Sequence, residues 1–305
     1  MTLGRVGFLG PEGSFSHEAL TQLGSVEAVA CASIADVLDA VASGHLDHGL
    51  VPLENAIEGT VSATIDGLVF DHDLVIEQEV VLPIRMHLLA RSGVTPSAVT
   101  RVASYVHALA QVRGYVATLP TARVVETTST SQAALETAQS DEPWAAVGSA
   151  LAAELFGLDV IAENIADHPD NATRFVLVGR RDIAAPTGTD RTLIVCFQDA
   201  DRPGTLYGIL GRFAARDINL TKLESRPTKT GLGDYCFVIE FDGHIADDVI
   251  GDCLADVQAH LVRVKFLGSY PVTGAGAVVR RSEVLDSRRA ANEWLEQLRA
   301  RIHGR

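Results

Sequence analysis

The chain has 305 residues, 47% of them hydrophobic and 21% charged, a globular composition with room for two or three domains. Its 25 Lys and Arg against 39 Asp and Glu give a net charge of −14, which repels phosphate backbones and anionic lipid and argues against a nucleic-acid or membrane partner. No run approaches the ~18 apolar residues of a bilayer span. The opening Met1-Thr2-Leu3-Gly4-Arg5-Val6 has none of the regions of a signal peptide, so a cytoplasmic protein is expected.

From Val6 to about Gly179, short apolar runs alternate with amphipathic segments, the rhythm of an α/β domain. Strands are predicted over Val6–Leu9, Gly49–Leu53, Val99–Ala103, Arg123–Glu126, Ala145–Val147 and Arg174–Val178, and helices over Ser33–Ala42, capped by Ser33, and Ser131–Ala138. Between Leu74 and Arg91 the apolar residues form one long extended run broken by Pro83. Such a run predicts strands crossing between two lobes, one of residues 1 to about 80 and about 160–182, the other of about 81–159, with a cleft between them.

Arg180–Asp190 has the proline, glycine and polar residues of a linker. Beyond it the pattern reads strand (Thr192–Phe197), helix (Gly204–Ala215), strand (Asn219–Arg226), strand (Tyr235–Phe241), helix (Asp247–Gln258) and strand (Leu261–Leu267), the ferredoxin-like βαββαβ order over residues 190–271. A core of about 80 residues with open sheet edges predicts pairing with a second copy. Residues 280–305 carry seven arginines and four acids, with Leu285, Ala291, Leu295, Leu298 and Ile302 near helical spacing, and predict an amphipathic helix against an acidic body.

Cys31, Cys196, Cys236 and Cys253 are scattered, with no C-x-x-C pair, so neither a disulfide framework nor a zinc site is expected. His45 and His48 could share a helix face, but no second cluster supplies further ligands, and no metal is expected. Four segments of the first domain place small, hydroxyl or amide residues after a strand and before a helix: Gly10–Ser16, Pro52–Thr60, Ser104–Gln111 and Thr127–Ser131. Each offers backbone N–H groups at a helix N-terminus, and together they predict a site for a small polyanion. None ends in the Lys-Ser/Thr of a P-loop or has G-x-G-x-x-G spacing, so no nucleotide cofactor is expected. A fifth segment, Asp170–Phe175, precedes an apolar strand; taken alone, its threonine and arginine read as a turn and a solvated charge.

The run Gly10-Pro11-Glu12-Gly13-Ser14-Phe15-Ser16, then Val51-Pro52-Leu53-Glu54-Asn55, Thr173-Arg174-Phe175 and Glu224-Ser225-Arg226-Pro227, in this order, resembles the prephenate dehydratases that carry a C-terminal ACT domain. The resemblance extends from about Val6 to Tyr270. It implies a two-lobed catalytic domain like that of periplasmic binding proteins, and a cofactor-free hydro-lyase that removes carbon dioxide and water from prephenate to give phenylpyruvate in phenylalanine biosynthesis. Thr173, Arg174 and Phe175 match the catalytic motif, with the Thr173 hydroxyl protonating the departing ring hydroxyl and Arg174 facing a substrate carboxylate. Glu54, Asn55, Ser104, Gln111, Ser129 and Thr130 match polar positions that line the cleft.

In the second domain, Gly204, Leu206, Asn219, Leu220, Glu224, Ser225 and Arg226 match the family's amino-acid-binding positions. The implied effector is L-phenylalanine, held between ACT domains of a homodimer or homotetramer, with Leu206, Tyr207 and Leu223 lining an apolar pocket. The chain departs from the family at Ser14, at Ala56 and at Tyr105-Val106-His107, where threonine, serine and His-Pro-Gln are more usual. Arogenate as substrate, and a non-catalytic carboxylate sensor, are the competing readings.

Overall fold

All three inner residues of the first strand, β1 (Arg5–Leu9), are buried, as expected of a strand covered on both faces of a sheet. The computed structural model describes residues 3–119, 121–180, 183–198, 203–229, 231, 234–260, 263–272 and six positions between 293 and 301. The chain divides between residues 182 and 183 into two units.

In the first unit β1 is followed by α1 (Phe15–Thr21), β2 (Glu27–Cys31), α2 (Ile34–Ala42), β3 (His48–Asn55), β4 (Gly59–Thr60), α3 (Ser62–Asp66) and β5 (Val75–Pro83). Ser33 caps α2, its hydroxyl accepting from Asp36 N at 3.0 Å and donating to the Asp36 carboxylate at 2.8 Å. A second group comprises β6 (His87–Ala90), β7 (Arg101–Ser104), α4 (Val106–Ala110), α5 (Arg113–Val116), β8 (Arg123–Glu126), α6 (Thr130–Gln139), β9 (Trp144–Gly148), α7 (Ala150–Phe156) and β10 (Asp159–Ala162), after which β11 (Ala172–Gly179) returns to the first sheet. The first sheet runs β2-β1-β3-β11-β5, with β4 on β3, and the second runs β10-β6-β9-β7-β8. These are the two expected lobes, with boundaries that differ from the expectation. β5 continues to Pro83, and β10 pairs with β6, so residues 159–162 belong to the second lobe and the chain crosses at 84–86 and 163–171.

One hydrophobic cluster runs through both lobes, from Val6, Phe8, Leu50 and Phe175 by way of Leu82, Ile84 and Met86 to Leu88, Val102 and Leu109. The β1–α1 loop also bears on the second lobe. Ser149 Oγ donates to Gly13 O at 2.9 Å, and Ser131 Oγ donates to Glu12 O. Gly13 has φ +78°, and a Cβ there would lie 3.3 Å from the Ala152 backbone, so this close approach requires glycine.

The second unit is built from β12 (Asp190–Phe197), α8 (Thr205–Ala214), β13 (Leu220–Pro227), β14 (Tyr235–Asp242), α9 (Asp248–His260) and β15 (Arg263–Pro271), with strand order β13-β14-β12-β15. This is the ferredoxin-like arrangement, its core formed by Ile194, Ile209, Phe213, Ile239, Phe241 and Val257. Cys196 and Cys253 sit in that core, where burial pushes their thiols up to about 12 and about 11. They act as small apolar residues. Of the helix expected over 280–305, Glu293, Trp294, Gln297 and Arg299 are helical, whereas its apolar positions Leu285, Ala291, Leu295, Leu298 and Ile302 lie outside the described residues.

His45 and His48 do not share a helix. His45 meets Ser43 Oγ at 2.8 Å, and His48 opens β3, with its Nδ1 2.9 Å from Leu3 O and its Nε2 3.2 Å from the Glu77 carboxylate. The hydrogen bond to Glu77 raises the His48 pKa above its ordinary value, outweighing the opposing effect of burial. The folded state therefore holds this proton more tightly than the unfolded chain, a stabilisation present in full below the ordinary histidine pKa and lost as pH rises through the raised one. We expect H48Q to lower the melting temperature more at pH 5.5 than at pH 9, as thermal unfolding of both proteins across that range will show.

Candidate active site

Antiparallel pairing of β11 with β3 sets Thr173 opposite Asn55 and Arg174 opposite Glu54. Because side chains alternate along a strand, Thr173 and Asn55 share one face of the sheet while Arg174 and Glu54 share the other. Asn55 Nδ2 donates to Thr173 Oγ1 at 2.8 Å. The orientation of this amide is fixed from behind, since Asn55 Oδ1 accepts from the backbone N–H groups of Ile57 (2.9 Å) and Glu58 (3.0 Å) in a tight turn. The group presented to the threonine is therefore a donor.

A residue of the fifth segment that was not named among the expected site residues completes the cluster. Asn171 Oδ1 accepts the Asn55 amide at 3.0 Å, and Asn171 Nδ2 donates to Gln111 Oε1 at 2.9 Å. Its only sequence signal was its position two residues before Thr173, on the same face of an extended segment. Gln111 ends α4 in the second lobe, and its backbone carbonyl accepts from Asp167 N at 2.7 Å, so the amides span both lobes. Glu58 and His107, 3.6 Å apart and about half exposed, face each other beside the same turn and were also missed. In the first loop, Gly13 N donates to His17 Nδ1 at 3.1 Å, and burial lowers the His17 pKa, which favours the neutral acceptor form.

Several expectations need correction. Arg174 does not face the threonine side; it is 11% exposed and bonded to Glu54 (2.9 Å) and to the buried Glu79 (3.4 Å) on the reverse face, so its charge is committed to carboxylates of the chain. Phe175, expected as part of the catalytic motif, is buried in the core shared by the lobes. Ser104 is fully buried and its hydroxyl donates to Val147 O at 2.7 Å. Glu54 and Asn55 lie at the end of a strand that turns into β4, not at a helix N-terminus. Ser14 and Ser129 do cap α1 and α6, Ser129 accepting from Gln132 N at 2.9 Å, and Thr130 opens α6.

The effector set of the second unit is not gathered into one cluster within a chain. Gly204, at φ +88°, begins α8, and Leu206 packs on the core below it. Asn219 Nδ2 donates to Asp242 at 2.8 Å. Along β13, Leu223 and Ser225 pair with the core-facing Ile239 and Phe237, while Glu224 and Arg226, 2.6 Å apart, occupy the opposite face. Leu220 pairs with Phe241 on the core face.

A family model for prephenate dehydratase matches residues 6–183, and one for the ACT domain matches residues 192–257. The chain belongs to the prephenate dehydratase family. It is 39% identical to the prephenate dehydratase of Amycolatopsis methanolica, over 96% of this chain and 97% of that protein. Among solved structures, the prephenate dehydratase of Arthrobacter aurescens in complex with L-Phe superposes with a TM-score of 0.83 at 36% identity, covering 96% and 99% of the two chains. GqqA, described as a novel type of quorum quenching acylase, superposes at 0.81 with 28% identity, covering 88% and 98%. Among the described residues, no helix is long and apolar enough to cross a membrane and no group of His, Cys, Asp or Glu could hold a metal.

The carboxylate of Glu79 is almost fully buried, so losing the Arg174 guanidinium is costly. R174M is expected to destabilise the fold by about 3–5 kcal/mol, whereas E54Q, at a partly exposed acid, should cost no more than ~1 kcal/mol. Chemical denaturation of the two variants checks this ranking.

Proposed function

We infer that the chain converts prephenate to phenylpyruvate with Thr173 as proton donor, and the observation that carries this reading is the Asn55 amide N–H on Thr173 Oγ1 at 2.8 Å. A threonine hydroxyl is a weak acid, and it serves only if the alkoxide it leaves is stabilised. With one lone pair of Oγ1 occupied by Asn55, the hydroxyl hydrogen points away from the amide and is available to the departing ring hydroxyl. As it transfers, the C–O bond breaks and water leaves. The ring carboxylate departs as carbon dioxide, and its bonding pair completes the aromatic ring. The hydrogen bond from Asn55 then becomes a charge-assisted one to the alkoxide, which recovers its proton from solvent.

Prephenate is a dianion, and with Arg174 committed to Glu54 and Glu79 its carboxylates fall to neutral donors. Gln111 Nε2, the Ser129 and Thr130 hydroxyls, and the N-terminus of α6 provide them. The amide neighbours of Thr173 also favour dehydration over acyl transfer of the kind attributed to GqqA, because an amide N–H stabilises an oxyanion but cannot take a proton from a nucleophile.

L-Phenylalanine is the proposed effector, held where two ACT domains meet. The division of the expected effector residues between two faces of β13 supports a site completed by a second copy. Tyr207 and Leu223, 81% and 45% exposed, offer apolar surface for that contact. The four free cysteines fit a reducing cytoplasm.

The test is incubation with prephenate and, separately, with arogenate and an acyl amide, with and without L-phenylalanine. Phenylpyruvate formation that falls on adding L-phenylalanine is expected. T173V should lower kcat by about 10²–10⁴ and N55A by about 10²–10³, with unchanged circular dichroism. Near-normal turnover by T173V would remove the threonine from its role.

A further inference from the structure

We propose that Asn171 is a positioning residue that relays the fixed orientation of Asn55, on the threonine side, to the amide of Gln111 on the substrate side. This rests on the reading of Thr173 as proton donor and extends it to a residue whose side chain acts through the neighbouring amides. Asn171 is 3% exposed, and Ile84 N donates to its carbonyl at 2.8 Å, so its backbone is tied to the 84–86 segment that crosses between the lobes.

Its side chain offers one acceptor and one donor group, and both are used. The acceptor Oδ1 takes a hydrogen of Asn55 Nδ2, which also donates to Thr173 Oγ1 at 2.8 Å and, at the longer distance of 3.4 Å, to Ala172 O. The donor Nδ2 meets Gln111 Oε1, which turns Gln111 Nε2 outward as the free end of that amide. Reversing Asn171 would set oxygen against oxygen at Gln111 and N–H against N–H at Asn55. The same side chain, held by the fixed Asn55 amide, therefore determines that an incoming carboxylate sees a donor at Gln111. Leucine at this position could fill the volume but supply neither contact.

N171D provides the decisive test. A protonated carboxyl has a carbonyl acceptor for Asn55 and an O–H donor for Gln111, and so reproduces the asparagine. Once ionised it has only acceptors, and Gln111 must turn its Nε2 toward it and its oxygen toward the substrate. The ratio of kcat/KM for N171D to that of the parent is therefore expected to be highest near pH 5 and to fall at least tenfold by pH 8. Charged groups nearby in chain and fold, namely Glu54, Glu58, Glu79, Arg85, His107, Asp167, His168, Asp170 and Arg174, are common to both proteins, so the ratio cancels their titration. A ratio that stays within twofold of one across this range overturns the proposal.

Should N171D fold poorly, Q111E tests the other end of the chain of contacts. Its ionised carboxylate still accepts from Asn171 but has lost the outward Nε2, so KM should rise at least fivefold with kcat within twofold. A fall in kcat at unchanged KM overturns the assignment. A third measurement needs no turnover: slow exchange of the Asn55 side-chain amide hydrogens, followed by NMR, should be lost in N171A. If the parent fails to consume prephenate, the functional reading falls, while that protection still decides the role of Asn171; equal exchange in parent and N171A counts against it.

Discussion

The pairing of β11 with β3 is the constraint on which the site depends. Thr173 meets Asn55 only because the two strands are in this register, and a slip of one residue would send the threonine hydroxyl to the opposite face. Two features hold the register. Between Arg174 and Phe175 the pairing skips Leu53, a bulge that fixes which residues can oppose each other. On the reverse face Arg174 joins Glu54 on β3 to Glu79 on β5, bridging three strands. Buried ion pairs of this kind often add little net stability, but they penalise any arrangement that separates them. One face of the sheet thus locks the alignment that the other face uses.

The cluster around Thr173 consists of neutral amides rather than charged groups, and this follows from the substrate class. A cation beside Thr173 would stabilise an alkoxide more strongly, yet it would also attract a dianion to the wrong atom. A carboxylate there would repel that dianion. Amides carry donor and acceptor together, do not titrate in the physiological range, and act strongly where water is excluded. Their weakness is that an amide reversed end to end presents the wrong group. The turn at Ile57 and Glu58 removes that ambiguity for Asn55.

The parts of this arrangement legible in the sequence were local ones. Ser33 announced a helix start, alternating segments gave the α/β class, and Thr173 with Asn55 stood out through their motifs. Partnerships over long separations were not legible. Glu79 lies 95 residues from Arg174, in a strand that reads as an apolar run. The β10 segment reads as the start of the return to the first lobe, and only its pairing with β6 moves it to the second. Ser104 was expected in the cleft because it matches one of the family's polar positions, but its hydroxyl donates to the Val147 carbonyl on the neighbouring strand. Glu54 and Asn55 suggested a helix start, whereas Gly59, at φ +82°, permits a tight hairpin instead.

The span of the amide chain bears on how an effector could act. Gln111 belongs to the second lobe, Asn55 to the first, and Asn171 to the segment crossing between them, so activity depends on the relative placement of the parts that these hydrogen bonds join. Misplacing reacting groups by about 1 Å can cost ~10² in rate. Coupling between effector and active site is typically ~1–3 kcal/mol, an amount of the same order as that loss. An inhibitory effector therefore need not close the cleft or unfold any element. A small displacement of α4 relative to β3 is sufficient, because the hydrogen bond from Asn171 to Gln111 and the one Asn171 accepts from Asn55, at 2.9 and 3.0 Å, have little slack before one of them breaks.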